Sequence, residues 1–334
     1  MNILLTSVGR RAYLVKYFKE VLGDEGQVHV SNSDDLTVTF KYADKSVVSP
    51  LIYDERYIPF LLEYCKDNKI DILISLFDID LPILAKNKKE FEKIGVSLIV
   101  SDYEFVKICN DKWLTHQYLK NNNFNVPYST LGVDEIIEKT KSGEISYPII
   151  IKPRFGMGSI GIEIAENEEE LLFYSKKVNK KTKNTYLKYE SKDIENSIIY
   201  QEKLTGQEYG VDIINDLKGI NIAVAVKKKL AMRAGETDAA ETVKCEPIYN
   251  EAKRLGQITG HIANLDSDWF LVNNKPYVLE MNARFGGGYP FSHTAGVNLP
   301  LAIVKWCRGE SVSNDMLDAH EGVKGFKEIE VKIV

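Results

Sequence analysis

A chain of 334 residues is long enough for two domains and a small third. With 44% hydrophobic and 27% charged residues it has the composition of a soluble globular enzyme, and its net charge of -5 argues against general nucleic-acid binding. The apolar runs are too short for a membrane span, and the short run in MNILLTSVGRR is followed, not preceded, by its basic residues, unlike a signal peptide. Cys65, Cys109, Cys245 and Cys307 lie far apart without paired metal spacing, which fits ordinary thiols in a reducing, cytoplasmic setting.

In chain order, NILLTSV reads as a buried strand, Gly9 as its turn and AYLVKYFKEVLG as a helix with apolar residues at helical spacing. QVHVSN and the short KSVVSP are strands, ERYIPFLLEYCKDNKI a helix, DILISLF a strand, DLPILAKNKKEFEKIG a helix and VSLIVS a strand. This alternation predicts a parallel α/β layer over residues 1–100. Ligands of such sheets lie at the carboxyl ends of the strands, which here carry Ser7, Gly9, Arg10, Ser31, Asn32, Asp78 and Asp80. Asp80, between a buried strand and a helix, has two readings: a group that orients a substrate amine or hydroxyl, or a helix N-cap.

Beyond residue 101 the texture changes. SDYEFVKICNDKWLTHQYLKNNNFNVP is helical towards Pro127, and YPIIIKPR and IGIEIAE are strands around a Gly-rich stretch. NEEELLFYSKKVNKK is a helix, and residues 176–197 are Lys-rich, either the solvated edge of a lid or a binding patch. NSIIYQEKL, EYGVDIIND and GINIAVAVKKKL are strands, and NEAKRLGQITGHIAN is a helix. DWFLVNN and KPYVLEMN form a hairpin with Asn273-Asn274 near its turn, and LPLAIVKWCRG is a late helix. These elements divide the chain into a layer over 1–100, a second domain over 101–310 with a lid lobe at about 128–198, and a C-terminal extension over 311–334.

Gly156, Gly158 and Gly161 form a Gly-x-Gly-x-x-Gly string. A dinucleotide fingerprint needs a helix next, and here a strand follows. A Walker loop needs Lys-Ser/Thr where Ile162-Glu163 stands. What remains is a loop at the tip of a β-hairpin, preceded by Lys152: a phosphate flap or a plain turn. The later hairpin places Asp268 on one strand and Glu280 on the next, with Asn282 on the same face as Glu280 and Arg284 following. Two carboxylates and an amide oxygen are hard ligands suited to Mg²⁺; the alternative is an acidic hairpin edge.

Taken in order, Lys112 in NDKWLTHQYL, Lys152 in IIIKPRFGMGSIGI, YQEKLTGQEYGVD, Asp268 and LEMNARFGGGYP resemble the ATP-grasp superfamily over roughly residues 101–310. KKLAMRAGETDAAETV and GGGYPFSHTAGVNLP are similar to its carbamoyl-phosphate-synthase-like, carboxylate-amine ligase branch. Carbamoyl phosphate synthase large subunits carry two such modules and this chain has one, which argues against that activity.

The resemblance implies a Rossmann-like parallel α/β domain followed by a two-lobed α+β ATP-grasp domain. It assigns Lys112 and Lys152 to the α- and β-phosphates, and a flap from Arg154 through Gly156, Gly158 and Ser159 to Gly161. Gln201, Glu202, Lys203 and Leu204 fall at the adenine, with the Gln201 amide oxygen accepting from its amino group, and Glu208 falls at the ribose. Asp268, Glu280 and Asn282 would hold two Mg²⁺ ions, with Mn²⁺ an alternative. Arg284 would neutralise charge at the reacting groups. Arg233 and one of Lys227 to Lys229 would assist, Arg233 being otherwise a surface salt bridge. Gly286, Gly287 and Gly288 would form a backbone nest near the reacting carboxylate, their alternative being a flexible loop.

The implied reaction joins a small-molecule carboxylate to an amine or ammonia through an acyl phosphate, consuming ATP and releasing ADP and phosphate. No nucleic-acid or membrane partner is expected, and a homodimer is compatible. A small-molecule kinase on the same fold and a non-catalytic ATP-binding regulatory module are the competing readings.

Overall fold

A computed structural model describes residues 1–156, 158, 160–185, 189 and 196–333. The first domain runs β1 (Asn2–Thr6), α1 (Ala12–Leu22), β2 (Gln27–Asn32), β3 (Lys45–Val48), α2 (Tyr57–Asp67), β4 (Ile72–Ser75), α3 (Leu81–Lys86), α4 (Lys88–Lys93) and β5 (Ser97–Ile99). Its five strands are parallel in the order β3-β2-β1-β4-β5. The central strand β1 buries Ile3, Leu4 and Leu5 completely, as a strand covered by helices on both faces must. The single helix expected over DLPILAKNKKEFEKIG is two short helices. They break at Asn87, whose side chain donates to the Ile83 carbonyl at 2.8 Å and competes with the helix ladder.

Two capped helices lead into the second domain. In α5 (Tyr103–Asn110) Asp102 accepts from the Glu104 N–H; in α6 (Lys112–Asn121) Asp111 accepts from the N–H groups of Trp113 and Leu114. The lid lobe follows: β6 (Ser129–Thr130), α7 (Val133–Ser142), β7 (Ile149–Pro153), β8 (Glu163–Ala165), α8 (Glu168–Lys183) and β9 (Ile198–Glu202). Its strands order β6-β9-β7-β8 and pack Ile149 and Ile151 against Leu171 and Val178 of α8.

The main sheet comes from β10 (Gln207–Asn215), β11 (Asn221–Arg233), β12 (Glu236–Thr242), β13 (Ala263–Val272) and β14 (Lys275–Asn282), with α9 (Glu246–Thr259) against one face. Two helices close the domain, α10 (Tyr289–Thr294) and α11 (Leu299–Cys307). The antiparallel order is β14-β13-β10-β11-β12-β15, where β15 is Lys324–Phe326. The segment expected as a C-terminal extension over 311–334 therefore includes an edge strand of this sheet. At the hairpin turn Asn273 and Asn274 both take positive φ, 49° and 62°, as a two-residue turn matching the strand twist requires.

One buried cluster joins the two domains. Leu14 and Phe18 of α1 pack with Phe285, Tyr289, Leu299 and Ile303. The parallel layer is thereby fixed against the loop that follows the acidic hairpin, which sets the geometry of the site.

Candidate active site

A cleft of about 370 Å³ opens between the lid lobe, the main sheet and the first domain. That volume lies in the range of small-molecule sites. The flap strand β7 brings Lys152 in from the lid, and α6 brings Lys112. Lys152 is buried, and its Nζ donates to Gln201 Oε1 at 2.9 Å; Gln201 Nε2 donates in turn to Ser129 Oγ at 2.9 Å. Burial lowers the Lys152 pKa to about 8, with Lys112 pushing the same way and Glu280 and Asp268 opposing. Without a counter-ion in hydrogen-bond contact among the described residues, this ammonium is suited to an incoming anion.

Gln201 lines the cleft, and its amide oxygen, which can accept two hydrogen bonds, accepts one from Lys152 and so also positions that lysine. The expectation for Arg154 needs correcting: its Nε and Nη2 donate at 2.7 Å, one to each oxygen of Asp111, and it is not among the described cleft-lining residues. It anchors the flap instead. The Lys112 N–H donates to the Arg154 carbonyl at 3.1 Å, and Lys112 Nζ donates to the Gly156 carbonyl, so the start of the flap is tied to the N-terminus of α6. Gly156, Gly158 and Gly161 all have positive φ, and at Gly161 a Cβ would come within 3.1 Å of Pro153. Ser159 lies outside the described residues. Lys203, Leu204 and Glu202 line the cleft, although the Glu202 carboxylate accepts from the Tyr128 N–H at 2.8 Å.

The register of the main sheet brings the acidic residues together. Asp268 lies opposite Glu280 and Asp266 opposite Asn282, with a bulge between Asp268 and Trp269 that shifts the pairing. Lys229 crosses between Glu208 and Asp268, 2.6 Å from each. Burial works against its charge, and Asp268 and Glu208 outweigh burial and hold it above the usual lysine range. Asp268 moves the other way, up to about 6, through burial first and then the crowding of Asp266, Glu280 and Glu208, with Lys229 opposing. Among Lys227 to Lys229, it is Lys229 that lines the cleft; Lys227 is fully buried against Asp212 and Ser292.

Arg284 is 9% exposed and donates from Nε to Asp78 at 3.0 Å and from Nη1 to Asp266 at 2.6 Å. Asp266 belongs to the site and was not singled out from sequence, because β13 begins at Ala263, five residues before the expected start. The polar alternation Asp266, Asp268 along one strand face was the available signal. Gly286 abuts this acid so closely that a Cβ there would fall 2.1 Å from Asp266 Oδ1; Gly287 and Gly288 line the cleft beside it.

Two catalytic-or-substrate expectations fail. Arg233 sits at the exposed end of β11, paired with Asp238 and donating to the Lys327 carbonyl at 3.0 Å, so it is the surface salt bridge and not a cleft residue. Asp80 is neither substrate contact nor cap. It is fully buried and accepts from Thr6, Ser7, Tyr57 and Ser75, tying β1, α2 and β4 together, and makes no helix-cap bond.

Glu280 and Asn282 have no side-chain hydrogen bond or ion pair among the described residues, though both line the cleft and Asn282 is 8% exposed. A half-buried carboxylate and a buried amide oxygen, both without protein partners among the described residues and next to the crowded Asp268, are donors of the kind a hard divalent cation takes.

A flap lysine, a lysine on the preceding helix and an acidic antiparallel hairpin facing both define the class of nucleotide-binding domain to which this cleft belongs. Residues 109–288 match the ATP-grasp domain family, and the chain belongs to that family. Residues 3–99 match the PylC-like N-terminal domain. Among solved structures, the chain is similar to the biotin carboxylase domain of 2-oxoglutarate carboxylase from Hydrogenobacter thermophilus, crystallised with MgADP, ADP and bicarbonate. The identity is 16% over 93% of this chain and 70% of that one, with a TM-score of 0.72. It is also similar to an L-amino acid ligase from Bacillus licheniformis, at 17% identity over 99% and 81% of the two chains, TM-score 0.72. The third is N5-carboxyaminoimidazole synthetase from Staphylococcus aureus, at 16% identity over 94% and 78%, TM-score 0.68. At these identities the likeness establishes the shared fold.

Proposed function

We propose that the protein is an ATP-dependent ligase that joins a carboxylate to an amine or ammonia through an acyl phosphate, releasing ADP and phosphate. The observation that carries this reading is the convergence of Lys112, Lys152, Lys229 and Arg284 with Asp268, Glu280 and Asn282 on one cleft that offers no serine or cysteine nucleophile among its described lining residues. Phosphoryl transfer asks mainly for positioning and charge neutralisation, which such a set supplies.

In this reading Lys152, held by Gln201, and Lys112, held by the flap, receive the phosphate oxygens. Asp268, Glu280 and Asn282 would hold Mg²⁺, which would supply further neutralisation of phosphate charge. Lys229, set between Glu208 and Asp268, stays protonated and stands next to the metal ligands as a cation for the transferring group. Arg284, steered by Asp78 and Asp266, presents its remaining Nη2 edge to the carboxylate that becomes phosphorylated. The flap glycines permit close backbone approach over the phosphates.

The test is an ADP-release screen of carboxylate and amine pairs, with the nucleotide products separated by chromatography. ADP and phosphate should form, and only when both substrates are present. AMP formed in proportion to product would overturn the reaction class, and ADP formed with a hydroxyl acceptor alone would favour a kinase.

A further inference from the structure

One wall of the cleft is formed by residues to which neither nucleotide nor metal has been assigned: Arg11, Glu236, Thr237 and Gly287. The two arginines of the cleft differ in how their charge is met. Arg284 is held by two carboxylates through Nε and Nη1, which leaves only its Nη2 edge for a ligand. Arg11 makes no contact ion pair among the described residues; the carboxylate that feels its charge is Glu236, on the same wall. Arg11 Nη1 donates to the Leu76 and Phe285 carbonyls, the latter at 2.8 Å, while Nε and Nη2 make no hydrogen bond among the described residues. Two neutral carbonyls, one from each domain, thus fix the plane of a guanidinium whose side-on edge remains open. That edge matches the two oxygens of a carboxylate.

Glu236 stands on the same wall at the start of β12. Its carboxylate carbon would be 3.3 Å from a Cβ at Gly287, so the glycine keeps the approach to it open. Lys327 donates to Oε2 at 3.2 Å, and Oε1 has no hydrogen bond among the described residues. A cationic fork and a carboxylate on one wall complement a ligand that carries both charges on neighbouring atoms.

Resting on the ligase reading above, we propose that this wall binds the amine substrate and that this substrate is a free amino acid, its carboxylate held side-on by Arg11 and its ammonium by Glu236. The carboxylate to be phosphorylated then lies with Lys229 and Arg284, and the two substrates are distinguished by which arginine meets them.

Saturation-transfer NMR on the full chain with saturating MgADP tests this, using the common L- and D-amino acids and their carboxamides as probes. At least one amino acid should bind, with its carboxamide weaker by about tenfold or more, the loss of one charge-assisted contact. Arg11→Lys should weaken the amino acid and leave the carboxamide nearly unchanged; Glu236→Gln should weaken both. Equal binding of amino acid and carboxamide, wild-type binding by both variants, or no binding from the panel while MgADP binds would each overturn the proposal. If Arg11→Lys loses MgADP through misfolding, Glu236→Gln, at an exposed position, decides alone. Failure of the ligase reading is seen separately, as absent MgADP binding or AMP among the products.

Discussion

Glu280 is held by no other side chain among the described residues, so replacing it tests its chemistry with little structural cost. Glu280→Gln should lower kcat by about a thousandfold, the value of a charge-assisted contact in a dry site, and leave adenosine affinity, which needs no metal, within about twofold. Retention of more than about a tenth of kcat would remove Glu280 from the metal assignment. The Lys152–Gln201 pair makes a pH prediction. With its pKa lowered to about 8, Lys152 is charged below that pH and neutral above it, so ADP affinity should fall as pH rises through about 8. Gln201→Glu would place an anion 2.9 Å from Nζ and move that midpoint upward. Calorimetric titration of ADP between pH 7 and 10 (about three units around the pKa) reads both effects; a flat profile in the wild type would show that Lys152 does not meet phosphate.

Asp111 works as an element boundary. It caps α6 and binds Arg154 at the root of the flap, so one side chain serves helix and lid together. Asp111→Ala should cost about 3 kcal/mol, a lost cap plus a lost partly buried pair, and should speed proteolysis between Arg154 and Gly161. Unchanged cleavage would mean that the flap is held by other contacts. His261, just before β13, is buried and meets the Ile213 carbonyl at 3.0 Å; burial lowers its pKa to about 4 from an ordinary 6.5. Between those values the unfolded chain takes up a proton that the folded chain refuses. Stability is therefore complete above about pH 6.5 and is lost as pH falls towards 4, by about 3 kcal/mol for this group. Urea unfolding across that window should show the loss, and His261→Gln should remove this group's share of it, while His116, whose pKa burial also lowers to about 4, keeps its own.

Across the whole molecule, the site depends on how the two domains meet. Asp78 at the carboxyl end of the parallel layer reaches Arg284 after the acidic hairpin, and Arg11 is oriented by a carbonyl from each domain. Removing one partner of a buried pair strands the other, so Asp78→Ala should destabilise the protein by about 3–5 kcal/mol in urea. Asp78→Asn, which keeps the shape, should cost less but still lower kcat, because Arg284 would then turn towards Asp266 alone. An Asp78→Asn protein with unchanged kcat would show that the first domain does not steer Arg284.

Much of this was present in the residue pattern. The alternation of strand and helix over 1–100, the Lys152 strand before the glycines and the Asp268, Glu280 and Asn282 hairpin are local: each depends on spacing along a few residues and on periods of two or 3.6. The pairing of charges was not local. Arg154 and Asp111 are 43 residues apart, Arg284 and Asp78 are 206 apart, and nothing in the spacing chooses between a ligand contact and an internal ion pair. Asp80 carried the same ambiguity and resolved into a knot of buried hydroxyls that only the packing of β1 against β4 and α2 creates. A charged side chain takes its role from the partner it finds across the fold. The sequence therefore determined which groups are available and on which elements, and the tertiary structure decided which of their charges remain unpaired and free for substrate.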